Sequence, residues 1–536
     1  MTAESTTPRL YLPLLKIPTP HELGFPAKFA EWRPTQIEAI RLYMNSQHRV
    51  KVVSMPTGGG KSAIYMAVAA MSKKPTCIVT ESRGLQDQLC EDFGPMGMVS
   101  LKGRDNYPCL LRDDYTCQDG YAARCPHKGS HLCPASAAGF SAAASNYVVT
   151  NFAKWTTAKR FGTGMDHFQQ VMFDEGHSAP DAISNAMQVV LHHREIEDVL
   201  GVNFPPPNSE MVDWKTWAIG ARVEADEQML AARGLANPHA APGVIKHYLH
   251  LRNLCRRLTT IATANPSNWV HDDHKNWKGQ HDGYQFDPLR PGIYCESSLF
   301  LRMDDIGIFS ATIQEKTMYQ LHQPKGSFSY WEFPSEFAAN DAPIYHVPTQ
   351  RVDRNNPDLS QLWVRHDQFA GRRRDRKGIV QTISFARQAD ILTQSRYADS
   401  MYVNERGEAP TEILEMFRDA KPGAILVSPS VGSGYDFPGK FCEWQFICKI
   451  PFQDGRSKII KARQEDDKEY GPYAAMNKFV QICGRGNRFK GDRCENVIPD
   501  DNFRDWFWPR YSYLAPKSFR NRVRMLSQLP TPPPPL

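Results

Sequence analysis

The sequence predicts an α/β protein made of two lobes, each built on a parallel sheet, with two insertions in the first lobe. The clearest sign is an apolar strand that runs through a glycine-rich loop into a helix, VVSMPTGGGKSAIYMA, between Val52 and Ala67. Short apolar runs also alternate with helix-like segments from about residue 30 to 178, from 300 to 320 and from 340 to 515, as in parallel sheets. At 536 residues and 41% hydrophobic content, the chain can form several cores.

The glycine-rich loop has the composition of a phosphate-binding loop. Three consecutive glycines let backbone N–H groups turn toward phosphates, the next helix presents its positive N-terminus, and a lysine and a serine can reach phosphate and Mg²⁺. Met55 stands where the general G-x-x-x-x-G-K-[ST] pattern begins with glycine, and MPTGGGKS resembles the loops of superfamily 2 helicases. We therefore expect ATP to be held by Thr57, Gly58, Gly59, Gly60, Lys61 and Ser62.

A carboxylate pair follows another run of strand-forming residues, in QQVMFDEGH. Asp174 can hold Mg²⁺ together with Ser62, and Glu175 can polarise the attacking water. With Lys61 they form the expected catalytic set of an ATPase. The DEGH run resembles a DEAH box in which Gly176 replaces the usual alanine, a change that we expect to be harmless.

Four further motifs have the order found in superfamily 2 helicases. Gln36 in EWRPTQIEAI has the spacing of an adenine-reading glutamine, and the SAT triplet that begins at Ser310 resembles the one that couples the γ-phosphate site to nucleic acid. The GSGYDF segment includes Asp436, which we assign to the nucleotide site. The run QICGRGNR places three polar side chains near one face of a helix end, where arginines can act on transition-state charge. These three are Gln481, Arg485 and Arg488.

Four cysteines separated by seven residues each lie between the phosphate loop and the DEGH motif. The segment around them is rich in Asp, Gly, Pro and His, and eight-residue steps do not stack on one helix face. Their placement therefore indicates metal ligands rather than core thiols. One candidate metal is zinc, bound tetrahedrally by the four thiolates, with His127 and His131 as possible substitute ligands. The four are Cys109, Cys117, Cys125 and Cys133.

Several runs of sequence resemble the iron–sulfur helicases of the XPD and DinG family. They are LKGRDNYPC before the first cysteine, VTNF at 149–152, FDPLRPG at 286–292 and ICKIPF at 447–452, so the resemblance covers most of residues 30 to 505. It implies two RecA-like lobes, a [4Fe–4S] cluster on the four cysteines, and an Arch domain that helps to enclose a DNA strand. It also implies 5′→3′ movement on single-stranded DNA. Ser433 departs from the family, which usually has a glutamate there.

The positions of the motifs divide the chain. Two runs in the second insertion, SNAMQVVLHHREIEDVL and VIKHYLHLRNLCRRL, have helix-like apolar spacing and predict a small, mainly helical domain. The C-terminal LPTPPPPL favours a flexible tail. We expect an N-terminal extension at 1–29, lobe 1 at 30–180 and 299–335, an inserted cluster domain at 104–140, an Arch-like insertion at 181–298, lobe 2 at 336–525 and the tail at 526–536.

Composition adds weaker constraints. A formal charge of +6 mildly favours a polyanionic partner. The 12 cysteines occur without a secretory signal or a long apolar run, so we expect reduced thiols in a bacterial or phage-infected cytoplasm, or in the nucleus of a eukaryote, and no membrane contact. The basic run RRRDRK at 372–377 fits a phosphate grip or a solvated turn equally, and the aromatic cluster at 506–513 favours a lobe core over base stacking.

We interpret the chain as a monomeric ATP-dependent DNA helicase of the XPD/DinG type, acting on forked or 5′-overhang DNA. An RNA helicase or a RecQ-like enzyme is one alternative, although RecQ-type zinc cysteines follow the QxxGRxxR motif, where this chain has only Cys494. A nucleotide-gated accessory protein that binds DNA without unwinding it is the other.

Overall fold

The computed structural model describes residues 15–162, 165–276, 278–353, 356–404, 411–429, 435, 437–487 and 491–536. These form two seven-stranded parallel sheets and one three-stranded antiparallel sheet. Across the described ranges, the structure contains no helix with the length and apolar character needed to cross a membrane. The predicted fold class, two RecA-like parallel-sheet lobes, is confirmed.

The sheet of lobe 1 brings the ends of three motif-bearing strands together. The strand before the phosphate loop pairs with the SAT strand, which pairs in turn with the DEGH strand, all in parallel. Because parallel strands end at the same edge, the three motifs share that edge. Across the sheet the strands are Phe328–Glu332, Val50–Ser54, Asp305–Ser310, Gln170–Asp174, Thr76–Thr80, Tyr147–Asn151 and Met98–Ser100. Its helices are Pro34–Asn45, Lys61–Ser72, Arg83–Phe93, Phe152–Phe161, Ala179–Met187, Cys295–Ser298 and Glu315–Gln320.

Lobe 2 repeats the arrangement. Its strands, in order across the sheet, are Met401–Val403, Ile425–Ser428, Gly378–Gln381, Trp444–Ile447, Glu495–Asp500, Ile344–Gln350 and Val523–Met525. The helices around them are Ser360–Gly371, Phe385–Gln394, Thr411–Asp419, Lys458–Asp466, Tyr470–Cys483, Trp508–Tyr511 and Lys517–Arg520. The central strands are apolar and fully buried, as strands covered by helices on both faces must be.

The cysteine segment forms two short helices, Cys117–Ala122 and Pro134–Ala144, joined by turns. The first begins with a capping box, in which the Thr116 hydroxyl accepts from the Asp119 N–H and the Asp119 carboxylate accepts from the Thr116 N–H. The segment shares a small apolar core with Ala236 of the second insertion, so the two insertions pack on each other.

The second insertion contains two long helices, Met211–Leu235 and Pro242–Ala262, and an antiparallel sheet. The sheet consists of Val189–His192, Trp269–Lys275 and His281–Pro288. The helix predicted from VIKHYLHLRNLCRRL is confirmed. The prediction of a helix through SNAMQVVLHHREIEDVL is wrong, because its helix ends at Met187, a strand follows, and a π-helical turn occupies Arg194–Val199. Val189 and Leu191 are buried alternately, which is the period of a strand.

Although it belongs to lobe 1, the second insertion is fastened to lobe 2. The guanidinium of Arg463 donates to the Pro288 carbonyl of the insertion at 2.7 Å, and also to the Ser184 hydroxyl of the lobe 1 helix Ala179–Met187 at 2.8 Å. The Lys458 N–H donates to Asp272 of the insertion at 2.7 Å. Arg463 is buried, so its two bonds are shielded from water, whereas the Lys458–Asp272 bond is exposed.

The C-terminal tail lies against lobe 2 rather than projecting into solvent. Arg373 donates to the Pro530 carbonyl at 3.2 Å, and Arg376 donates to the Pro533 carbonyl at 2.9 Å. Leu529 is buried. The flexibility expected of this tail stays a prediction, but its proline carbonyls have partners, because they accept from buried guanidinium groups.

The same contacts explain the basic run. Arg373 is buried and forms a bidentate pair with Glu495 at 2.7 and 2.9 Å, while the Lys377 ammonium donates to backbone carbonyls of Phe417 and Arg418. These two buried side chains hold lobe 2 together. The aromatic cluster also packs inward as predicted, with Phe507 buried in the lobe 2 core.

Candidate nucleotide-binding cleft and cysteine cluster

The phosphate loop has the backbone conformation that its glycines permit. Gly58 and Gly60 have φ of +79° and +75°, values that side chains disfavour. A Cβ at Gly59 would lie 2.6 Å from the Met55 side chain, and one at Gly60 would lie 2.2 Å from the Gln36 amide. Lys61 then opens its helix. The loop thus requires glycine at each of the three positions.

The two carboxylates of the DEGH motif face this loop. Asp174 ends its strand, and Glu175 adopts a left-handed conformation at φ +51°, a strained backbone of the kind that functional sites hold. This turn brings Glu175 Oε1 to 3.8 Å from Lys61 Nζ. Burial, and then the neighbouring Glu175 charge, raise the pKa of Asp174 to about 6, and Tyr65 donates to it at 3.4 Å. A cation beside Asp174 would relieve this electrostatic cost.

The small residue after the pair fits a local constraint. A Cβ on Gly176 would lie 2.3 Å from Cγ2 of Ile308 on the neighbouring strand. The space that an alanine methyl would take is therefore filled by Ile308, and the departure from DEAH is compensated within this chain.

His177 joins the two lobes across the cleft, and the sequence reasoning did not assign it a role. Its Nδ1 is 2.8 Å from the Ser310 hydroxyl and 3.3 Å from Glu175 Oε2. Its Nε2 meets the side-chain amide of Gln481 from lobe 2. The SAT triplet, the carboxylate pair and the QxxGRxxR motif are thus connected through one imidazole. The fourth position of DEGH was the signal that could have identified it.

Gln36 lies behind the phosphate loop. Its amide oxygen accepts from the Arg33 N–H at 3.0 Å and its amide nitrogen donates to the Gly59 carbonyl at 3.4 Å. Arg33 adds a 2.7 Å bond to the Gly58 carbonyl and a 2.7 Å ion pair with Glu336. Arg33, also missed by the sequence reasoning, supports the loop directly. Gln36 is buried and braces the loop in the present conformation.

A cavity of about 1020 Å³ opens between the lobes beside these groups. Its lining includes Thr57 and Glu175 from lobe 1 and Gln481 and Arg485 from lobe 2. Ser62 follows Lys61 in the first helical turn and is half-buried. The other two predicted nucleotide-site residues, Asp436 and Arg488, and also Ser433, lie outside the described residues. Thr57, Glu175, Gln481 and Arg485 therefore line one cleft between the lobes, which is large enough for a nucleotide.

The four cysteines of the first insertion converge. The sulfurs of Cys117 and Cys133 are 3.9 Å apart, and a Cβ on Gly120 would lie 2.2 Å from Cys109 Sγ and 3.5 Å from Cys125 Cβ. A glycine is thus needed for the thiols to meet. Four thiols on one small fold suit a soft metal or an iron–sulfur cluster.

The two histidines named as substitute ligands do not join them. Among the residues that the structure describes, His127 and His131 occur in no three-residue group of metal-ligand atoms within 4.8 Å of one another. The His131 ring packs instead on Phe140, with ring centroids 4.6 Å apart. The structure therefore gives no support to His127 or His131 as substitute ligands.

Comparison with known proteins agrees with this arrangement. A family model described as type III restriction enzyme, res subunit, matches residues 29–202, and one described as helicase C-terminal domain matches residues 380–522. The chain is 21% identical over 276 residues to the 3′-5′ exonuclease DinG of Bacillus subtilis (strain 168). That match covers 47% of this chain and 29% of the relative, so the chain spans less than a third of that protein.

Solved structures show the same fold. An XPD helicase matches 92% of this chain and 100% of its own, with a TM-score of 0.65 at 12% identity. The Xpd4 structure of S. tokodaii matches the same shares, with a TM-score of 0.56 at 12% identity. The ordered motifs, the two family-model matches and this shared architecture make the chain similar to the XPD/DinG-like superfamily 2 helicases.

Proposed function

We propose that the chain hydrolyses ATP in the cleft between its lobes and uses the resulting lobe motion to move along and unwind DNA. The observation that supports this most is the continuous set of contacts from Lys61 and Glu175 through His177 to Gln481 of lobe 2. A site that only bound nucleotide would not need a hydrolytic carboxylate joined to the opposite lobe.

Each group has a distinct task in this proposal. The loop amides and Lys61 bind the phosphates, Gln36 acts at adenine, and Ser62 and Asp174 hold Mg²⁺, which would neutralise charge on the phosphates when bound. Glu175 orients the attacking water, and His177 holds that carboxylate in place. Arg485 and Arg488 approach the γ-phosphate from lobe 2, and Thr57, Gly58, Gly59, Gly60 and Asp436 complete the nucleotide contacts.

The test is hydrolysis by two site variants. Lys61→Ala removes a phosphate-neutralising charge and Glu175→Gln removes the water-orienting carboxylate, so each should lower DNA-stimulated ATP hydrolysis by about 10²-fold or more. Glu175→Gln should still bind ATP. Lys325→Ala, an exposed lysine of lobe 1, is the matched control and should hydrolyse normally. Near wild-type ATP hydrolysis by either site variant would contradict the proposal that ATP is hydrolysed in this cleft.

We infer that the four cysteines hold a [4Fe–4S] cluster. In tetrahedral zinc, with Zn–S near 2.3 Å, every pair of sulfurs is roughly 3.8 Å apart. The sulfurs of Cys117 and Cys133 have this spacing, at 3.9 Å, but no three of the four described sulfurs lie within 4.8 Å of one another. A wider set favours a four-iron cluster, which binds each thiolate through a separate iron. Iron and acid-labile sulfide measured on anaerobically purified protein decide this; stoichiometric zinc without iron would contradict it.

The substrate that fits best is a single strand of DNA. The two insertions pack on each other and the second also holds lobe 2, which favours an enclosed passage over an open groove for a duplex. ATP hydrolysis should therefore need single-stranded DNA and fall steeply with salt as phosphate contacts are lost. Unwinding should start from a 5′ overhang and not from a blunt end or a 3′ overhang. Stimulation by RNA alone would favour the RNA-helicase alternative, and DNA-stimulated hydrolysis without unwinding would favour the accessory-protein alternative.

A further inference from the structure

Two imidazoles and one carboxylate meet on the antiparallel sheet of the second insertion, outside the residues that line the cleft. Each strand contributes one of them. Nδ1 of His274 is 2.6 Å from one oxygen of Asp282, and Nδ1 of His192 is 3.3 Å from the other. One ligand atom from each residue lies within 4.8 Å of those of the other two. Neither the proposed ATP hydrolysis nor the cysteine cluster uses this group.

The sheet register creates the meeting point. His192 and His274 both lie directly opposite Gly283, one on each side of the central strand. Directly opposed residues of an antiparallel sheet point to the same face, so the two imidazoles face each other across a position that has no side chain. A Cβ there would lie 2.0 Å from the Leu191 carbonyl oxygen. The glycine is therefore required for the close approach of the two backbones, and the His192 and His274 rings meet edge-on with centroids 5.0 Å apart.

A register shift in the same sheet positions the Asp282 carboxylate. The ladder shifts register between His274 and Lys275, as at a β-bulge, which re-aims side chains. Without it, Asp282 would point to the face opposite Gly283. Two departures from regular pairing, a glycine and a register shift, thus produce one three-residue cluster.

A second group of rings lies on the other face of the same sheet. The His193 ring is hydrogen-bonded to Glu197 at 3.0 Å, and His281 lies 3.8 Å from an Asp273 oxygen. Tyr284 packs against both of these rings, with centroids 6.0 and 5.1 Å away. Because Tyr284 follows Gly283 in its strand, it points away from the face that carries His192 and His274, so this second group backs the sheet behind the cluster and does not line it.

We propose that His192, His274 and Asp282 form a Zn²⁺ site. Two imidazoles and one carboxylate are borderline-soft ligands that suit zinc, and tetrahedral bonds of 2.0–2.2 Å would separate the ligand atoms by roughly 3.4 Å. The observed separations need only small shifts. Each imidazole would bind through Nδ1 and keep its proton on Nε2, and a water would complete the coordination, because the side chains are 25–38% exposed.

Such an ion would join strand Val189–His192, near the start of the second insertion, to the hairpin of strands Trp269–Lys275 and His281–Pro288 near its end. The same hairpin accepts the Lys458 N–H of lobe 2 through Asp272. The proposed role is therefore structural: the ion stiffens the sheet at the place where the insertion meets lobe 2. This inference does not depend on the activity proposed for the cleft.

The test uses the full chain with its cysteine cluster loaded, stripped of loose metal and titrated with Zn²⁺ against a chromogenic chelator. Wild type should bind one equivalent of Zn²⁺ beyond the cysteine-bound metal, and His274→Ala and Asp282→Asn should each weaken that equivalent at least ~100-fold. His239→Ala, an exposed histidine of the same insertion, should bind like wild type. Circular dichroism and ATP hydrolysis confirm that the variants are folded.

Cobalt substitution separates the two metal sites. Co²⁺ at the proposed site should give visible d–d bands without the thiolate-to-cobalt charge-transfer absorption of a cysteine site. Equal Zn²⁺ binding by wild type and His274→Ala would overturn the proposal. So would an extra equivalent that disappears only in Cys117→Ser.

Discussion

Removing the imidazole that joins the lobes should uncouple the carboxylate pair from lobe 2. His177→Ala loses contacts to Ser310, Glu175 and Gln481, whereas Gln481→Ala loses only the last. A neutral hydrogen bond contributes about 1 kcal/mol and one to a charged group about 1.5–3 kcal/mol. The glutamine variant should therefore lose about fivefold in kcat, and the histidine variant, which loses about 3.5–5 kcal/mol, roughly 4 × 10²- to 5 × 10³-fold.

The double variant makes the reasoning refutable. If Gln481 acts only through His177, then His177→Ala/Gln481→Ala should be no slower than His177→Ala alone, with a coupling energy of about 1 kcal/mol. The assay is ATP hydrolysis at saturating single-stranded DNA, with nucleotide affinity measured separately and unchanged within a few-fold. Gln361→Ala, an exposed glutamine of lobe 2, and His239→Ala serve as controls. Strictly additive losses would show that the contact between the lobes has no part in hydrolysis.

Three further outcomes are expected. Lys51→Met breaks a buried 2.8 Å pair with Asp305 and should lower the free energy of unfolding by about 3–5 kcal/mol in urea melts. Burial alone would raise the pKa of Asp305, but the Lys51 hydrogen bond and charge hold this pKa below its ordinary value. The contribution of the ionised Asp305 carboxylate to the free energy of unfolding is therefore present above about pH 4. That contribution should be lost as pH falls through the lowered pKa of the folded state. Truncation after Leu529 should cost about 1–3 kcal/mol of stability, because Arg376 and its neighbours lose carbonyl acceptors. Cys117→Ser should abolish the visible absorbance of the cluster and unwinding while leaving part of the ATP hydrolysis.

Each of these has a control and a contradicting result. Lys325→Ala should melt like wild type, and a Lys51→Met protein of unchanged stability would mean that the pair is not buried in solution. A truncated chain as stable as the full one would mean that the tail is free. A Cys90→Ser variant, outside the cluster, should keep its colour, and a coloured, active Cys117→Ser protein would remove this residue from the ligand set.

The sequence predicted the parts of the site that are local. The phosphate loop and the DEGH pair each lie within a few consecutive residues, so strand, turn and helix signals fix their backbone and the family resemblance supplies their order. The sequence likewise predicts lobe 2 strands in the runs GIVQTISF, GAILVSP and WQFICKI, because fully buried strands form apolar runs. Those runs contain Gly378–Gln381, Ile425–Ser428 and Trp444–Ile447.

What the sequence did not reveal depends on partners far along the chain. The role of His177 exists only once Gln481 approaches from lobe 2. The strand at Val189–His192 was read as helix because four residues are too few to separate the two periods, and pairing with a distant hairpin decided it. The proline tail has no helix or strand periodicity, yet its carbonyls accept hydrogen bonds from Arg373 and Arg376.

The bonds between the second insertion and lobe 2 turn a two-body hinge into a closed linkage. One joint is the cleft, where Gln481 meets His177, and the other is the surface where Arg463 and Lys458 hold the insertion. A chain of bodies closed on itself has fewer independent motions than an open one. Any opening of the cleft must therefore slide helix Lys458–Asp466 along the insertion or carry the insertion with it.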